Sequence, residues 1–474
     1  MQQSLSTLMD QSLSTLYARY RTLALLVVAG TVMLLSFLWY LPGAYHASTA
    51  DEYHLYSWRA FKFNNIVDMY VGHDLYGRHG LRFILGGPGI EYPALLSTLI
   101  RSTASIGPSD GVPIDVYRSG SAPRHGVAQN TATPLGVAKS GGSSARGNVP
   151  TYLLVNDAVI FLFGLLAIML LARWRGARPW LFAVSPILLL FTGYNWDLVP
   201  IALILAAFLL FQRSTERPSP GRGYNMALEV AAFALLTCAV WFKLFPIVFL
   251  GAALIDRARW RLWQAVGYGL GVFAVLSVLI NLPLMVANYD NWRFFLWINT
   301  NRPIEPSSIW YLLFGARNLG LTGRPDTTAA ATILSLFVVV AGGLAIVVLA
   351  WRGPRRAIMM PLGCLLLLWW FTFNKVYDPN FDLWLLFILA VLGAPFWLNA
   401  ALVPLSLFWY VTAIGGLALS TLATAPGTTG WYVSHVLMFT IVLRLVVLGT
   451  LLFWVRRELL TAERALEFAP ASQP

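Results

Sequence analysis

Hydrophobic residues gather in long runs separated by short polar connections. A run of roughly 20 apolar residues suits a helix that crosses a bilayer. The runs 22–42, 151–172, 179–194, 196–212, 226–242, 244–255, 262–286, 327–351, 357–373, 381–397, 398–421 and 431–455 predict about twelve spans. Those at 179–194 and 244–255 are short, and read either as half-spans or as spans that borrow flanking residues. The connections have a pattern of their own. Arg173, Arg175 and Arg178; Arg213, Arg217 and Arg222; Arg257, Arg259 and Arg261; Arg352, Arg355 and Arg356; and Arg456, Arg457 and Arg464 fall at every second connection. Short cytoplasmic loops collect Arg and Lys, so this alternation puts both termini in the cytoplasm. The run 22–42 follows Arg19 and Arg21 and shows no small-residue cleavage pattern, which reads as a retained signal-anchor.

The layout that follows is a cytoplasmic segment 1–21, a transmembrane domain 22–455 and a cytoplasmic tail 456–474. The first extracytoplasmic loop, 43–150, is the main polar feature. Residues 53–66 and 92–105 mix aromatic and charged groups and predict helices lying in the membrane interface. Residues 107–149, rich in Gly, Ser, Pro and Ala, predict an irregular insertion. No internal repeat is visible.

Composition agrees with the pattern. The 474-residue chain is 58% hydrophobic and 11% charged, with a mean hydropathy of +0.65. Soluble domains carry about a quarter charged residues, so the class is an all-α polytopic membrane protein. The net charge of +12 is explained by the membrane and calls for no nucleic acid. Cys238 and Cys364 both lie inside apolar runs, which argues against a disulfide framework and a cysteine-held metal.

Ionisable groups at membrane depth are the candidate chemistry, because an unpaired charge there is costly. The stretch "FTGYNWDLVP", 191–200, carries Asp197 inside an apolar region. With the orientation above, Asp197 falls on the outer side. So do Asp51, Glu52, Asp68, Asp74, Glu91, Asp290, Glu305, Asp378 and Asp382, while Asp157 lies just inside the outer end of its run. Lys243 in "WFKLFP" and Asn374 and Lys375 in "FNKVYDP" join them at outer span ends. The physical reading is an outer-interface site for a charged lipid, with a lysine for a phosphate headgroup and an interhelical cleft for the tail. The plainer reading is polar residues capping wet helix ends. His46, His54, His73, His79 and His125 lie in the first loop without the i, i+4 spacing of a helical metal pair. Arg444, near the middle of its run, is left with a carboxylate or a lipid phosphate as partner.

In order along the chain stand "DEYHLY" (51–56), "EYP" (91–93), "YNWD" (194–197), "FKLFP" (242–246), "NLP" (281–283), "NWRFFLWINTNR" (291–302), "SSIWYLL" (307–313) and "NKVYDPNFDLWLL" (374–386). This order resembles glycosyltransferase family 87, bacterial polyprenyl-phosphate-sugar-dependent transferases of the GT-C fold, whose best-known members are actinobacterial mannosyltransferases. The resemblance covers residues 20–455 apart from 107–149. It implies a GT-C-type helix bundle in the plasma membrane. It implies transfer of a sugar, with mannose first and arabinofuranose next, from a polyprenyl-phosphate donor to a cell-envelope glycolipid or glycan, with inversion. Asp51 matches the family's general base, about nine residues beyond the first run, and the adjacent Glu52 is the alternative; Asp68 and Glu91 rank below them. Lys243, Lys375 and Arg302 are the candidates for the donor phosphate, and Asn195, Asp197, Asn374, Asp378 and Glu91 for the sugar pocket. The family pattern has a second Pro after "EYP" where this chain has Ala94, and "SPQY" where it has "DPNF". No cofactor and no metal are implied. The rival reading is a lipid-sugar flippase or multi-pass transporter, against which stand the lack of two similar halves and charges at one interface.

Overall fold

The computed structural model describes residues 2–47, 50–73, 75, 78–106, 149–215, 225–302, 304–305, 307–315, 325–353, 358–419 and 429–461. Among these there is no strand. The helices are α1 (Gln2–Tyr45), α2 (Ala50–Ala60), α3 (Asn65–Gly72), α4 (Leu81–Gly86), α5 (Ala94–Ala104), α6 (Val149–Arg173), α7 (Pro179–Ala183), α8 (Pro186–Phe191) and α9 (Leu198–Thr215). After them come α10 (Met226–Phe242), α11 (Ile247–Arg259), α12 (Trp263–Ala287), α13 (Tyr289–Asn301), α14 (Pro325–Arg352), α15 (Met359–Phe373), α16 (Phe381–Val391), α17 (Phe396–Leu419) and α18 (Thr429–Thr461). A π-helical turn, Tyr311–Gly315, lies between α13 and α14.

Six helices are long and apolar enough to cross a membrane: Tyr20–Tyr45, Val149–Arg173, Trp263–Ala287, Ala329–Arg352, Phe396–Ile414 and His435–Leu460. Four shorter apolar helices accompany them, Leu198–Ser214, Met226–Phe242, Met359–Phe373 and Phe381–Val391. The protein is therefore a helical membrane protein. Each of the twelve apolar runs overlaps helix, but the twelve expected spans reduce to six of spanning length. Run 179–194 is divided between α7 and α8, 381–397 between α16 and the start of α17, α11 has only 13 residues, and the runs at 196–212, 226–242 and 357–373 form shorter helices. The insertion expected at 107–149 lies, apart from Val149, outside the described residues.

Burial sorts the helices into two layers. Every residue of α16 is buried, and α9 is buried over most of its length, up to Phe208 in particular. By contrast only 11% of the apolar window of α12, and the same share of α14, is buried. Val275, Leu279, Ile333 and Phe337 stand 59–68% exposed. An apolar face of that size is a liability in water and the expected surface in lipid. Packing runs from α1 through α6 and α9 to α10 and α12, and through α11 to α15, which also meets α14 and α18. The short helices α7, α8 and α16 fill the middle.

The segment expected to lie at the interface breaks where the backbone demands it. The helix expected over 53–66 is split at Phe61, whose φ of 56° ends α2. The Phe61 carbonyl accepts from Trp39 Nε1 at 3.0 Å and Tyr410 Oη at 2.8 Å, which holds this uncommon conformation. Asn64 then caps α3, its side chain accepting from Val67 N at 2.8 Å.

Candidate functional site

The run 179–194 is interrupted by Ser185, which caps α8, and by Pro186 at the first helical position. From Thr192 to Asp197 the chain is non-helical, yet every residue is buried. Irregular backbone at membrane depth is tolerated only where protein satisfies its polar groups. Here the Gly193 N–H donates to Ser36 Oγ at 2.9 Å, and the Tyr194 carbonyl accepts from Asn65 N at 2.9 Å. A Cβ on Gly193 would come within 2.9 Å of Tyr40 Cδ2, so the approach requires glycine.

This break delivers Asp197 to the interior with no exposed side-chain surface. Its carboxylate accepts from Lys243, Asn380 and Trp384 Nε1, the last at 2.9 Å. Lys243 is the residue that ends α10, and Asn380 and Trp384 belong to the start of α16. Three donors from two chain segments thus close on one buried charge, which leaves Asp197 well satisfied. Asn195 is buried beside it. Its amide donates to Tyr92 Oη at 3.3 Å and its oxygen accepts from Trp196 N at 2.7 Å, tying "YNWD" to "EYP".

A second ionic group lies at the ends of α13 and α15. Arg302 pairs with Glu305 at 2.7 Å and stands 3.8 Å from Asp378. The Glu305 carboxylate also accepts from Tyr377 N at 3.2 Å, and Glu305 N donates to the Lys375 carbonyl at 3.1 Å. Lys375 donates from Nζ to the Thr300 carbonyl at 2.8 Å and to Thr332 Oγ1 at 2.7 Å. Glu91 joins through its backbone, whose carbonyl accepts from Asn299 Nδ2 at 3.3 Å. Its carboxyl is raised by burial and by Asp378 and Asp68, against the pull of Arg302 and Lys243. Burial likewise pushes Glu305 up to about 8, against the pull of Arg302. Burial works to lower Arg302 too, but Glu305, Asp378 and Glu91 outweigh it and hold the guanidinium firmly protonated. Lys375 is lowered to about 8 by burial and by Arg302. Arg302, Glu305, Asp378 and Glu91 are each half-buried, so the group is reachable from outside.

The structure therefore brings together Glu91, Arg302, Lys375 and Asp378, and beside them the Lys243–Asp197 pair with Asn195. Asn374, half-buried, is the residue that ends α15. Asp51 and Glu52 are exposed in the first turn of α2 and take no part in the ion pairs of this group. Nearest to them in sequence, His54 Nε2 lies 2.6 Å from Asp68 Oδ1. In the adjoining span Asp157 is 3% exposed with an unpartnered Oδ1. Among the described residues no group of three or more His, Cys, Asp or Glu is placed to share a metal ion.

Two features were not resolved by sequence reasoning. Arg444 takes the first of its two open partners, pairing with Asp382 of α16 inside the bundle. Tyr377 Oη donates to the same carboxylate at 2.8 Å, and the guanidinium lies 3.7 Å from the Tyr377 ring and 4.9 Å from that of Trp409. At the opposite ends of α9, α10 and α11 a further buried network appears. Arg257 pairs with Glu229 at 2.7 Å and with Asp256 at 3.2 Å, Glu229 accepts from Ser214, and Asp256 accepts from Ile358 N at 3.1 Å. Its only sequence signal was an acidic residue in the first turn of α10 and an Asp–Arg pair closing α11.

No family model, no curated protein and no solved structure matches this chain.

Proposed function

We propose that this protein is a membrane glycosyltransferase that takes a sugar from a polyprenyl-phosphate donor and attaches it to a cell-envelope glycolipid or glycan on the extracytoplasmic face. The supporting observation is the convergence, from three stretches of chain, of the half-buried Arg302, Asp378 and Glu91 with the buried Lys375 at helix ends. The leaving phosphate already carries charge and needs fixed cationic donors more than an acid. Arg302 and Lys375 fill that part. Carboxylates accept hydrogen bonds from sugar hydroxyls, a part for Asp378 and Glu91, with Asn374 at the edge. Lys243, Asp197 and Asn195 act one layer behind, where the ion pair fixes the ends of α10 and α16. The acceptor hydroxyl is a weak nucleophile and needs a proton acceptor within hydrogen-bond reach. The resemblance to glycosyltransferase family 87 puts that group on α2, at Asp51 or Glu52, and both are exposed enough for an acceptor to approach. Direct displacement inverts the anomeric centre, so a β-mannosyl donor gives an α-mannoside.

Membranes containing the protein, incubated with radiolabelled polyprenyl-phosphate-mannose and native envelope lipids, test this. A transferase forms a new labelled glycoconjugate, and Arg302→Met and Lys375→Met abolish it. Label that only changes leaflets, without a new product, defeats the proposal in favour of a flippase.

A further inference from the structure

Arg101 on α5 is 2% exposed, and among the described residues no carboxylate answers its charge. Its guanidinium donates to the carbonyls of Ile84 at 3.2 Å, Leu85 at 3.4 Å and Pro88 at 2.7 Å, which ties α5 to the end of α4. Its Nε has no partner. Backbone carbonyls satisfy N–H groups but bring no opposite charge, and an uncompensated ion away from water is costly. Burial acts on Arg101 without opposition and lowers it to about 10. Arg302 differs, with Glu305 at 2.7 Å and Asp378 at 3.8 Å.

Arg101 forms part of the wall of a cleft, with Tyr92 and Ser97 of the first loop and Asn291, Trp292 and Phe295 of α13. The space within is about 240 Å³, its open mouth included. The neighbouring donors are engaged: Ser97 Oγ to the Tyr92 carbonyl at 2.6 Å, Asn291 Nδ2 to the Gly87 carbonyl at 2.8 Å, and Trp292 Nε1 to Asn281 Oδ1 at 2.9 Å. Arg101 Nε is the buried side-chain polar atom of this wall left over. The surroundings of the mouth are apolar. Tyr289 and Leu296, one turn before and after Trp292 on α13, are 53% and 48% exposed, and Val286 at the end of α12 is 77% exposed.

We propose that this cleft holds the phosphate headgroup of an anionic phospholipid from the surrounding bilayer, with Arg101 as its counter-charge. A phosphate oxygen accepts from Arg101 Nε, and the negative charge compensates the guanidinium. The acyl chains lie over Leu296, Tyr289 and Val286, which are exposed apolar surface beside the mouth. A free phosphate offers the same charge but covers none of that surface, so the occupant is a lipid. The bound headgroup links the first loop to α13, because the wall comes from both. The site uses neither Arg302 nor Lys375 and stands whatever reaction the protein performs.

The test places the full-length protein in nanodiscs of phosphatidylcholine, with or without phosphatidylglycerol, and reads the melting temperature. Lipid retained after transfer to mild detergent is measured by native mass spectrometry. Wild type is expected to melt several degrees higher with phosphatidylglycerol and to retain it in preference to phosphatidylcholine. Millimolar inorganic phosphate added to the neutral discs is expected to reproduce neither effect. Arg101→Met is expected to abolish both. That change also strands the carbonyls of Ile84, Leu85 and Pro88, so Ser97→Glu is the second variant. One helical turn before Arg101, it sets a carboxylate beside the guanidinium and is expected to end the preference for phosphatidylglycerol while the arginine stays. Arg293→Gln removes an exposed cation of α13 and is expected to keep both effects. Equal melting of wild type in the two lipids, retention undiminished in Ser97→Glu, loss of retention in Arg293→Gln, or an equal gain from inorganic phosphate each overturns the proposal. The wild-type comparison decides even where a variant fails to fold.

Discussion

Lys243 and Asp197, 46 positions apart, form an ion pair whose side chains are 7% and 0% exposed. Opposite charges so placed attract strongly, but each has lost its hydration, and the pair is a neutral unit rather than a free cation. Removing one partner strands the other. Lys243→Met is expected to cost about 3–5 kcal/mol. Asp197→Ala is expected to cost more, because Asn380 and Trp384 lose their acceptor as well. Thermal unfolding in detergent of both variants and of the double variant checks this. The double is expected to be less destabilised than the sum, and strict additivity would mean that the pair is not coupled.

Lys375 gives a pH prediction with two opposed signs. Its folded-state value of about 8 lies below the ordinary lysine value. Between about 8 and the unfolded value near 10.4, the unfolded chain holds a proton that the folded protein has released. Stability therefore rises with pH through that window, whereas donor affinity falls because a phosphate-binding charge is lost. Donor KM and melting temperature measured from about pH 8.5 to 10, above the range in which Glu305 titrates, are expected to rise together, and Lys375→Met is expected to flatten both.

Arg444 sets the loop that carries Lys375 and Asp378 through Asp382 and the Tyr377 ring. Arg444→Met is expected to destabilise by about 3–5 kcal/mol by leaving Asp382 without its cation. Arg444→Lys keeps the charge but not the planar face stacked on Tyr377, so it is expected to recover only part of the loss. Melting temperature and donor KM, read side by side, separate loss of fold from displacement of the loop.

The two layers of helices predict different surroundings for single labels. A nitroxide placed at Phe337 of α14, which is 68% exposed, is expected to relax with oxygen and not with a water-soluble nickel complex. One at Leu386 of α16, which is fully buried, is expected to meet neither. A nickel response at Phe337 would take α14 out of the lipid.

Sidedness is checked in the same way. With Cys238 and Cys364 replaced, Asp290→Cys is expected to react with an impermeant maleimide in intact cells. Arg352→Cys is expected to react only after permeabilisation. The reverse result would move the ionic group to the cytoplasmic side.

Much of the helix layout was legible because apolar runs and arginine-rich connections are local signals, and each run overlaps helix, though only six of the twelve are of spanning length. The break at Ser185–Pro186 was visible only as a run too short to span. The division of 53–66 was not visible, since Phe61 owes its backbone conformation to Trp39 and Tyr410, both distant in sequence. At the site, the pattern singled out Lys243, Asp197, Lys375 and Asp378 because polar residues at apolar run ends are conspicuous, while Arg302 came only with the family resemblance. It did not reveal who pairs with whom. Lys243 with Asp197, and Arg444 with Asp382, depend on how helices far apart in the chain are packed, and no periodicity encodes that. The network of Glu229 and Arg257 escaped because acidic residues and arginines at helix ends are ordinary in any loop.

The complete burial of α16 constrains how the protein is made. Its 11 residues rise about 16 Å, roughly half the thickness of a hydrocarbon core. Such a segment cannot wait in the bilayer as a lodger of its own during synthesis. It enters only alongside partners already in place, α7 and α8 before it, and is sealed when α17 emerges. Chains truncated ahead of α17 would therefore show Trp384 and its neighbours to the cell's quality control, and would be degraded rather than accumulate as a half-built protein.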